Sequence, residues 1–394
     1  MDSSYRIAVL SDLHAAPKSV AAPIGEVKQF TDLVNTSPKE DPIKALQVLV
    51  DTHSLKADVI VCPGDMTNRA NAQALEFVWS HLHSLTKAFA AKGVVATVGN
   101  HDVDSRAHSE NSFPREHLMR LEPPFPASNG SLSNQYWAHG FCIQTVGAAR
   151  FLVINTCWLH ESRDELERGV VTDYTLERIA AELAVPSPAQ FNFVVCHHHP
   201  HPHTDLQLGF DDVIRNGQKL IELLSDNGQW MIIHGHKHHP KVEYAQGQFQ
   251  QPVVLACGSF SGRIEGNNAL VSTNYFHLIE VTHFQGGLAG QILSWNWTPG
   301  IGWQRYNSSL PKFPSIVGFG SKATPMALAQ SVAAAIGSKP FIKWSDLCST
   351  HMELAYLMPK QLASLLSELK ASHAISVVYD EYGAPAQLGR AANE

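Results

Sequence analysis

The sequence predicts an α/β fold in which polar residues collect at the ends of parallel strands. Short β-branched apolar runs alternate with helix-like segments over the first hundred residues, and this order is typical of parallel strands joined by right-handed crossovers. Five apolar runs along the chain end in Asp, Asn or His. The stretch that organises the others is 93–102, where an apolar run ends in Gly99-Asn100-His101-Asp102.

Composition limits the classes of function. The chain has 394 residues, 44% of them hydrophobic, and can bury a sizeable core. The net charge of -7 does not favour binding of duplex nucleic acid. A negatively charged substrate stays possible, because bound cations can reverse the local potential. The 22 histidines are clustered, and clusters such as 197–199 suggest a role other than that of ordinary surface or core residues.

Cysteine usage and hydropathy predict a soluble cytoplasmic protein. The six cysteines form no CxxC pair and lie mostly in apolar runs, as expected for small buried side chains in a reducing compartment. The N-terminus does not resemble a signal peptide, and no apolar run approaches the ~18–20 residues that a membrane span requires.

Hydrophobic periodicity predicts the elements in chain order. Apolar runs predict strands at 5–10, 57–62, 93–102, 141–146, 151–156, 191–196, 230–233, 253–256, 276–281 and 292–297. Helical spacing predicts helices at 43–53, 71–92 and 175–183. The polar segments 15–42 and 103–135 are predicted to be loops or insertions near the mouth of a site.

The chain divides at a Pro-, Gly- and Ser-rich linker that begins near residue 305. We expect residues 1–304 to form the main domain and residues 305–394 to form a mostly helical extension of unknown role. Within the extension, helices are predicted at 325–338 and 359–373 and a strand at 375–379. The extension contains no cluster of potential ligands.

Five polar blocks each close an apolar strand. In chain order they are Asp12-x-His14, Gly64-Asp65, Gly99-Asn100-His101-Asp102, His198-x-Pro200 and Gly235-His236-x-His238. The first two blocks are weak signals by themselves, since Asp and His are common in turns. The carboxyl ends of strands in an open α/β sheet share one crevice, so all five blocks can converge there.

The donor types in these blocks predict a metal centre. Carboxylate and amide oxygens mixed with imidazoles suit Mn²⁺, Fe or Zn²⁺ better than Ca²⁺ or Mg²⁺. The absence of thiolates from the blocks argues against a structural zinc site. The ligands are too many for one ion, whereas two ions that share Asp65 account for all of them.

This pattern resembles the calcineurin-like metallophosphoesterase superfamily, over roughly residues 5–300 and with all five blocks in order. The resemblance implies a four-layer α/β/β/α sandwich with a dinuclear site at the strand ends. It places the first metal on Asp12, His14 and His238, makes Asp65 the bridging ligand, and places the second metal on Asn100, His198 and His236.

The fourth block leaves an alternative open, because His197 could take the place of His198. Further histidines near the blocks are expected to lie around the ligands, to contact substrate or to lie on the surface. They are His199, His201, His203, His234 and His239.

His101 is the predicted catalytic side chain, as general acid or oxyanion stabiliser, with Asp102 orienting its ring. A purely supporting role for His101 is the alternative. The expected chemistry is attack of a metal-activated hydroxide on phosphorus.

The His-x-Pro and Gly-His-x-His blocks look most like those of bacterial cyclic-nucleotide and glycerophosphodiester phosphodiesterases. We therefore expect a phosphodiesterase whose partner is a small phosphoester. Neither duplex nucleic acid nor a membrane is an expected partner, and a homodimer is possible. A single-strand nuclease, a phosphomonoesterase or nucleotidase, and a catalytically idle metal-bound binding module are the alternatives.

Overall fold

The computed structural model describes residues 4–17, 27–33, 37–104, 113–160, 168–202, 212–264, 273–305 and 313–390. The predicted α/β class is confirmed. The chain forms two compact units. The larger unit contains Tyr5–His277 and Asn296–Gln304, and the smaller contains Leu278–Trp295 and Arg305–Glu394 together with Met1–Ser4.

The larger unit contains most of the strands and six helices among the described residues. Its strands are β1 (Tyr5–Val9), β2 (Val27–Gln29), β3 (Val59–Cys62), β4 (Val94–Ala96), β5 (Phe141–Val146), β6 (Ala149–Ile154), β7 (Phe191–Val195), β8 (Met231–His234), β9 (Lys241–Tyr244), β10 (Val253–Ala256), β11 (Gly262–Ile264), the first residues of β12 (Asn274–Phe284), the last of β13 (Gly287–Thr298), and β14 (Gly302–Gln304). Its helices are α1 (Pro42–His53), α2 (Ala72–Phe89), α3 (Glu116–Met119), α4 (Gly130–His139), α5 (Asp173–Leu183) and α6 (Gly217–Asp226).

Helix starts follow local capping chemistry. The Asp41 side chain accepts hydrogen bonds from the backbone N–H groups of Ile43 and Lys44, at 2.8 and 3.1 Å, and Pro42 occupies the first helical position of α1. These contacts satisfy donors that have no partner inside the helix. Thr172 caps α5 in the same way, through the N–H of Thr175.

Two sheets in the larger unit bring the strand ends together. Strands β1, β3 and β4 are parallel neighbours, with Ile7 opposite Val59 and Ile60 opposite Val94. The second sheet has the order β5-β6-β7-β8-β10-β9, and β6, β7, β8 and β10 run parallel. Parallel strands end at the same edge, so the polar blocks that follow β1, β3, β4, β7 and β8 lie where side chains can meet.

The two sheets pack face to face, and helices cover their outer faces. Tyr5 on β1 stacks on Phe193 of β7 at a ring distance of 6.1 Å, and its hydroxyl donates to the carbonyl of Val146 at 2.8 Å. Leu176 of α5 and Leu220 of α6 belong to the buried cluster on the second sheet. Helix α2 contacts β3 and β4. The result is the expected four-layer α/β/β/α arrangement.

Several elements differ from the predictions. Strand β4 is shorter than the predicted 93–102, and α2 ends before the predicted residue 92. Helix α4 begins inside the segment 103–135, which is predicted as an insertion, and continues to His139, with Tyr136 as its only buried side chain. Because one buried residue produces almost no periodicity, the sequence pattern did not predict this helix. Residues 18–26, 34–36 and 105–112 of the two predicted loop segments lie outside the described residues.

The smaller unit combines helices with a small antiparallel sheet. It contains β15 (Ile316–Phe319), which pairs with β13, as well as α7 (Pro325–Ile336), β16 (Phe341–Lys343), α8 (Trp344–Thr350), a 3-10 helix (Met352–Tyr356), α9 (Pro359–His373), β17 (Ile375–Tyr379) and β18 (Pro385–Arg390). Leu328, Val332, Leu365 and Leu369 form its core. The predicted α9 and β17 are confirmed, while the sheet β16-β18-β17 gives this region more strand than expected. No described helix combines the length and apolar character needed to cross a membrane.

Candidate metal centre

Asp12, His14 and His238 form one group of buried donor atoms at the ends of β1 and β8. Nε2 of His14 and Nε2 of His238 lie 2.9 Å apart, and Oδ1 of Asp12 lies 3.4 Å from Nε2 of His238. The Nδ1 atoms of both rings are buried without a hydrogen-bond partner. Two imidazole nitrogens and a carboxylate that converge in this way fit a cation between them.

A second group forms around Asp65, Asn100, His197 and His236. Nε2 of His197 lies 3.4 Å from Oδ2 of Asp65 and 3.0 Å from Oδ1 of Asn100. Nδ1 of His236 lies 3.1 Å from the same amide oxygen. Nδ1 of His197 donates to the carbonyl of Pro63 at 2.9 Å, so Nε2 is the ring nitrogen that could bind a cation once it has lost its hydrogen.

Asp65 belongs to both groups. Its Oδ2 atom lies 3.5 Å from Nε2 of His14 and 3.4 Å from Nε2 of His197. The backbone N–H of His101 donates to Oδ1 at 2.8 Å. One carboxylate therefore faces imidazoles from two separate clusters, which is the arrangement expected of a bridging ligand.

His198 lies beside the second group, with different partners from those of His197. Nδ1 of His198 is 2.8 Å from the hydroxyl oxygen of Thr156, and Nε2 is buried without a hydrogen-bond partner. The ring centroid lies 4.5 Å from that of His236. The structure thus places His197, the alternative in the fourth block, next to Asp65 and Asn100.

Five candidate ligands have left-handed backbone conformations. Their φ angles are 53° for Asp12, 46° for His14, 52° for Asp65, 78° for His236 and 51° for His238. Such conformations are costly for residues with a Cβ and concentrate at functional sites.

Two glycines allow these segments to approach each other. A Cβ on Gly99 would overlap the carboxylate and the backbone nitrogen of Asp65, and a Cβ on Gly235 would overlap the side chains of Asp12 and Ser11. The Gly-Asn and Gly-His steps of the sequence therefore serve close packing as well as turning.

His101 is held by Asn68. Nδ1 of His101 lies 2.8 Å from Oδ1 of Asn68, and an amide oxygen can only accept, so the hydrogen sits on Nδ1. The ring is half-buried at an edge-on distance of 4.7 Å from the His14 ring. His101 also forms a possible ligand group with His14 and Asp65.

The contacts of Asp102 differ from the prediction that its carboxylate orients the His101 ring. Its two carboxylate oxygens accept the backbone N–H groups of Thr67 and Gly99, each at 2.9 Å. Asp102 therefore ties the ends of β3 and β4 together, and Asn68 occupies the place expected for the group that orients the His101 ring.

Asp212 is another polar residue at the centre that the sequence pattern does not predict. Its Oδ2 atom accepts from Nε2 of His236 at 3.0 Å, and it is ion-paired with Lys237. Nε2 of His199 lies 3.5 Å from Oδ1. An acceptor on Nε2 fixes the tautomer of His236 with Nδ1 available, as carboxylates do behind metal-bound imidazoles.

The other predicted outer histidines have varied surroundings. Nδ1 of His201 lies 3.7 Å from a carboxylate oxygen of Glu243, and Nδ1 of His234 lies 3.1 Å from the carbonyl of Gly235. His239 is half-buried. His203 lies outside the described residues.

Electrostatics at the centre reflect buried charge. Burial alone would raise the pKa of Asp65, but the neighbouring His197 and His101 rings hold it well below its usual range. Burial disfavours a charged His197, yet the Asp65 carboxylate outweighs this and raises the pKa of His197 to about 9. Burial, reinforced by His197, lowers the pKa of His236 to about 3. The buried Asp65 carboxylate is thus stabilised by positive charge beside it, and a bound cation would also supply that charge.

Comparison with known proteins adds family information. The family model described as calcineurin-like phosphoesterase matches residues 5–240, and a model described as wHTH-Calcineurin_assc matches residues 317–371. No protein with a curated description matches the chain.

Solved structures to which the chain shows similarity include phosphatases. A dimetal phosphatase from Danio rerio is 12% identical, with 76% of this chain and 98% of that chain covered and a TM-score of 0.43. A purple acid phosphatase from yellow lupin (Lupinus luteus) seeds is 13% identical, with 75% and 52% covered and a TM-score of 0.44. A phosphopantetheinyl hydrolase from Mycobacterium tuberculosis is 12% identical, with 66% and 91% covered and a TM-score of 0.34.

Proposed function

The chain belongs to the calcineurin-like phosphoesterase family, and from this premise we propose that it hydrolyses a small phosphodiester with the help of two transition-metal cations. The observation that carries the proposal is the position of Asp65, whose Oδ2 atom faces His14 in one buried donor group and His197 in the other. Two cations that share this carboxylate would account for both groups.

The proposed ligands are assigned by contact. Asp12, His14 and His238 would hold the first cation, Asn100, His197 and His236 the second, and Asp65 both. In this assignment His197 replaces His198. Mixed oxygen and imidazole donors suit Mn²⁺, Fe or Zn²⁺. When bound, such a pair supplies Lewis acidity and a water-derived nucleophile at neutral pH.

We assign proton transfer to His101. Asn68 fixes one hydrogen on Nδ1 and leaves Nε2 for the leaving oxygen of the substrate. Burial lowers the pKa of His101, so the resting ring is neutral. The negative charge of an approaching phosphoester raises that pKa and favours a second proton at Nε2, which the ring can then donate.

The charge around the site favours a diester over a monoester. Lys237, next to His236, is ion-paired with Asp212, so its charge is already partly neutralised. A diester carries one negative charge and a monoester up to two. Binding of the singly charged diester therefore requires less positive potential from the protein in addition to that of the two cations.

Hydrolysis of bis(p-nitrophenyl) phosphate and of p-nitrophenyl phosphate tests the proposal, with Mn²⁺, Fe²⁺ or Zn²⁺ added to the metal-stripped full chain. We expect the diester to be turned over well above the monoester, and a chelator to abolish both reactions. A panel of cyclic nucleotides, glycerophosphodiesters, nucleotides and single-stranded DNA then narrows the substrate.

Other outcomes contradict the proposal in distinguishable ways. A monoester preference would indicate a phosphomonoesterase or nucleotidase, and turnover of single-stranded DNA alone would indicate a nuclease. Two bound cations without hydrolysis of either ester would indicate a binding module.

A further inference from the structure

A second cluster of metal-ligating side chains lies behind the candidate centre. Cys157 and His160 follow β6, and His198 follows β7. One potential ligand atom from each lies within 4.8 Å of those of the other two, and all three residues are buried. None of the three belongs to the set assigned to the cations that share Asp65.

The imidazoles of this cluster have nitrogens without hydrogen-bond partners. Nε2 of His160 lies 2.8 Å from the carbonyl oxygen of Arg168, which can only accept, so the hydrogen of the neutral ring sits on Nε2. This leaves a lone pair on Nδ1, which is buried and has no partner. In a satisfied interior such a nitrogen would be hydrogen-bonded.

His198 also has a buried ring nitrogen without a partner. Its Nδ1 is 2.8 Å from the hydroxyl oxygen of Thr156, and its buried Nε2 has no partner. The ring centroids of His160 and His198 are 5.2 Å apart. Each of the two neighbouring rings therefore has a buried nitrogen without a partner. The Cys157 thiol, which lies 3.6 Å from the carbonyl oxygen of Val98, completes the group of potential ligand atoms.

We propose that Cys157, His160 and His198 form a third metal site, separate from the two sites that share Asp65, and that it takes Zn²⁺. One thiolate with two imidazoles is a donor set that zinc prefers, whereas Mn²⁺ favours oxygen ligands. Three protein ligands leave one coordination position open. The site would tie the segment after β6 to the segment that carries His197.

This inference rests on the proposed function in one respect, the assignment of His197 rather than His198 to the second cation. It does not depend on hydrolysis. The chemistry of the two regions also differs, because the ligands proposed around Asp65 contain no sulfur. A sulfur-to-metal signal therefore reports on the third site alone.

Cobalt substitution tests the proposal on the full chain. The metal-stripped protein is loaded with Co²⁺ and its near-ultraviolet absorption is recorded for a thiolate-to-cobalt charge-transfer band, while Zn²⁺ bound after desalting is counted separately. We expect the band, and three equivalents of Zn²⁺ per chain. Cys157→Ser should lose the band and one equivalent of metal.

Matched variants keep the result interpretable. Cys142→Ser alters another buried cysteine that belongs to no ligand group among the described residues, and it should keep the band and three equivalents. His160→Gln removes the imidazole lone pair but leaves the thiol, and it should lose one equivalent of metal. This variant serves as the test if Cys157→Ser does not fold. Wild-type protein with two equivalents and no band, or a band that persists in Cys157→Ser, would overturn the third site. Diester hydrolysis by wild-type protein that binds only two cations would still support the proposed function.

Discussion

Asp65 is the residue on which both proposed cations depend, because it faces donor atoms of His14 and of His197. We expect Asp65→Ala to lose both of these cations and to reduce hydrolysis to the level of chelator-treated wild-type protein. Metal analysis after desalting, together with turnover of bis(p-nitrophenyl) phosphate, measures this. Asp51→Asn changes an exposed carboxylate on α1 and should retain metal and activity. A fully active Asp65→Ala protein would refute the bridging role.

His101 should affect turnover without affecting metal content. We expect His101→Ala to reduce turnover by roughly 10²–10⁴-fold, the usual range for loss of a positioned acid. The loss should be larger for a diester with a nucleoside leaving group than for one with p-nitrophenolate, since a poor leaving group needs protonation more. An equal loss for both esters, or loss of metal, would exclude the acid role.

The kinds of residue at the centre could be predicted from the sequence, but some of their contacts could not. Whether His197 or His198 faces Asp65 depends on Pro63 and Thr156, which come from distant segments. Asn68 and Asp212 lie in turns with no recognisable spacing, so only the folded chain identifies them as neighbours of His101 and His236. That two cations bind stays a prediction.

At the scale of elements, the strand ends were predictable because apolar runs and glycine turns are local signals. Strands β1, β3, β7 and β8 begin within two residues of the predicted positions. Helix α4 was missed because its burial comes from one side chain, Tyr136, whose hydroxyl lies 2.9 Å from that of Thr97. Such tertiary contacts leave no periodic pattern.

The turn after β4 gives a test at this scale. Gly99→Ala would place a Cβ against the Asp65 carboxylate and backbone, so the turn must shift. We expect a loss of about 1–3 kcal/mol in the free energy of unfolding, as for other overpacked sites, together with weakened metal binding. Urea denaturation and metal titration measure the two effects.

Gly93→Ala is the matched control for Gly99→Ala. It lies at the start of the same apolar run, its added Cβ meets nothing within 4 Å, and its φ is not left-handed. This variant should keep the wild-type metal affinity and lose little stability. Equal behaviour of the two alanine variants would contradict the role assigned to Gly99.

At the scale of the whole molecule, the parallel order of β1-β3-β4 and β6-β7-β8 explains why five distant blocks can lie together. This convergence could be predicted from strand order alone. The antiparallel sheet of the smaller unit could not, because β16 and β18 are short and mostly exposed or half-buried, so they lack a continuous apolar run.

Buried histidines make the stability of the folded chain depend on pH. His277 is buried in the larger unit, and its Nε2 donates to the carbonyl of Cys257 at 2.7 Å. Burial lowers the pKa of His277 from 6.5 to about 4. Because the folded-state pKa is the lower one, the stabilising contribution of the neutral ring is complete above pH 6.5 and is lost as the pH falls towards 4.

Between pH 7 and pH 5, His277 alone should lower the free energy of unfolding by about 2 kcal/mol. His277→Gln keeps a side-chain donor near Cys257 but cannot titrate, so the variant should lose about 2 kcal/mol less than wild-type protein over the same interval. Urea denaturation of both proteins at each pH, with a chelator present, measures the difference. The other buried histidines titrate in both proteins and cancel in this comparison. Equal losses in the two proteins would show that folding does not lower the pKa of His277.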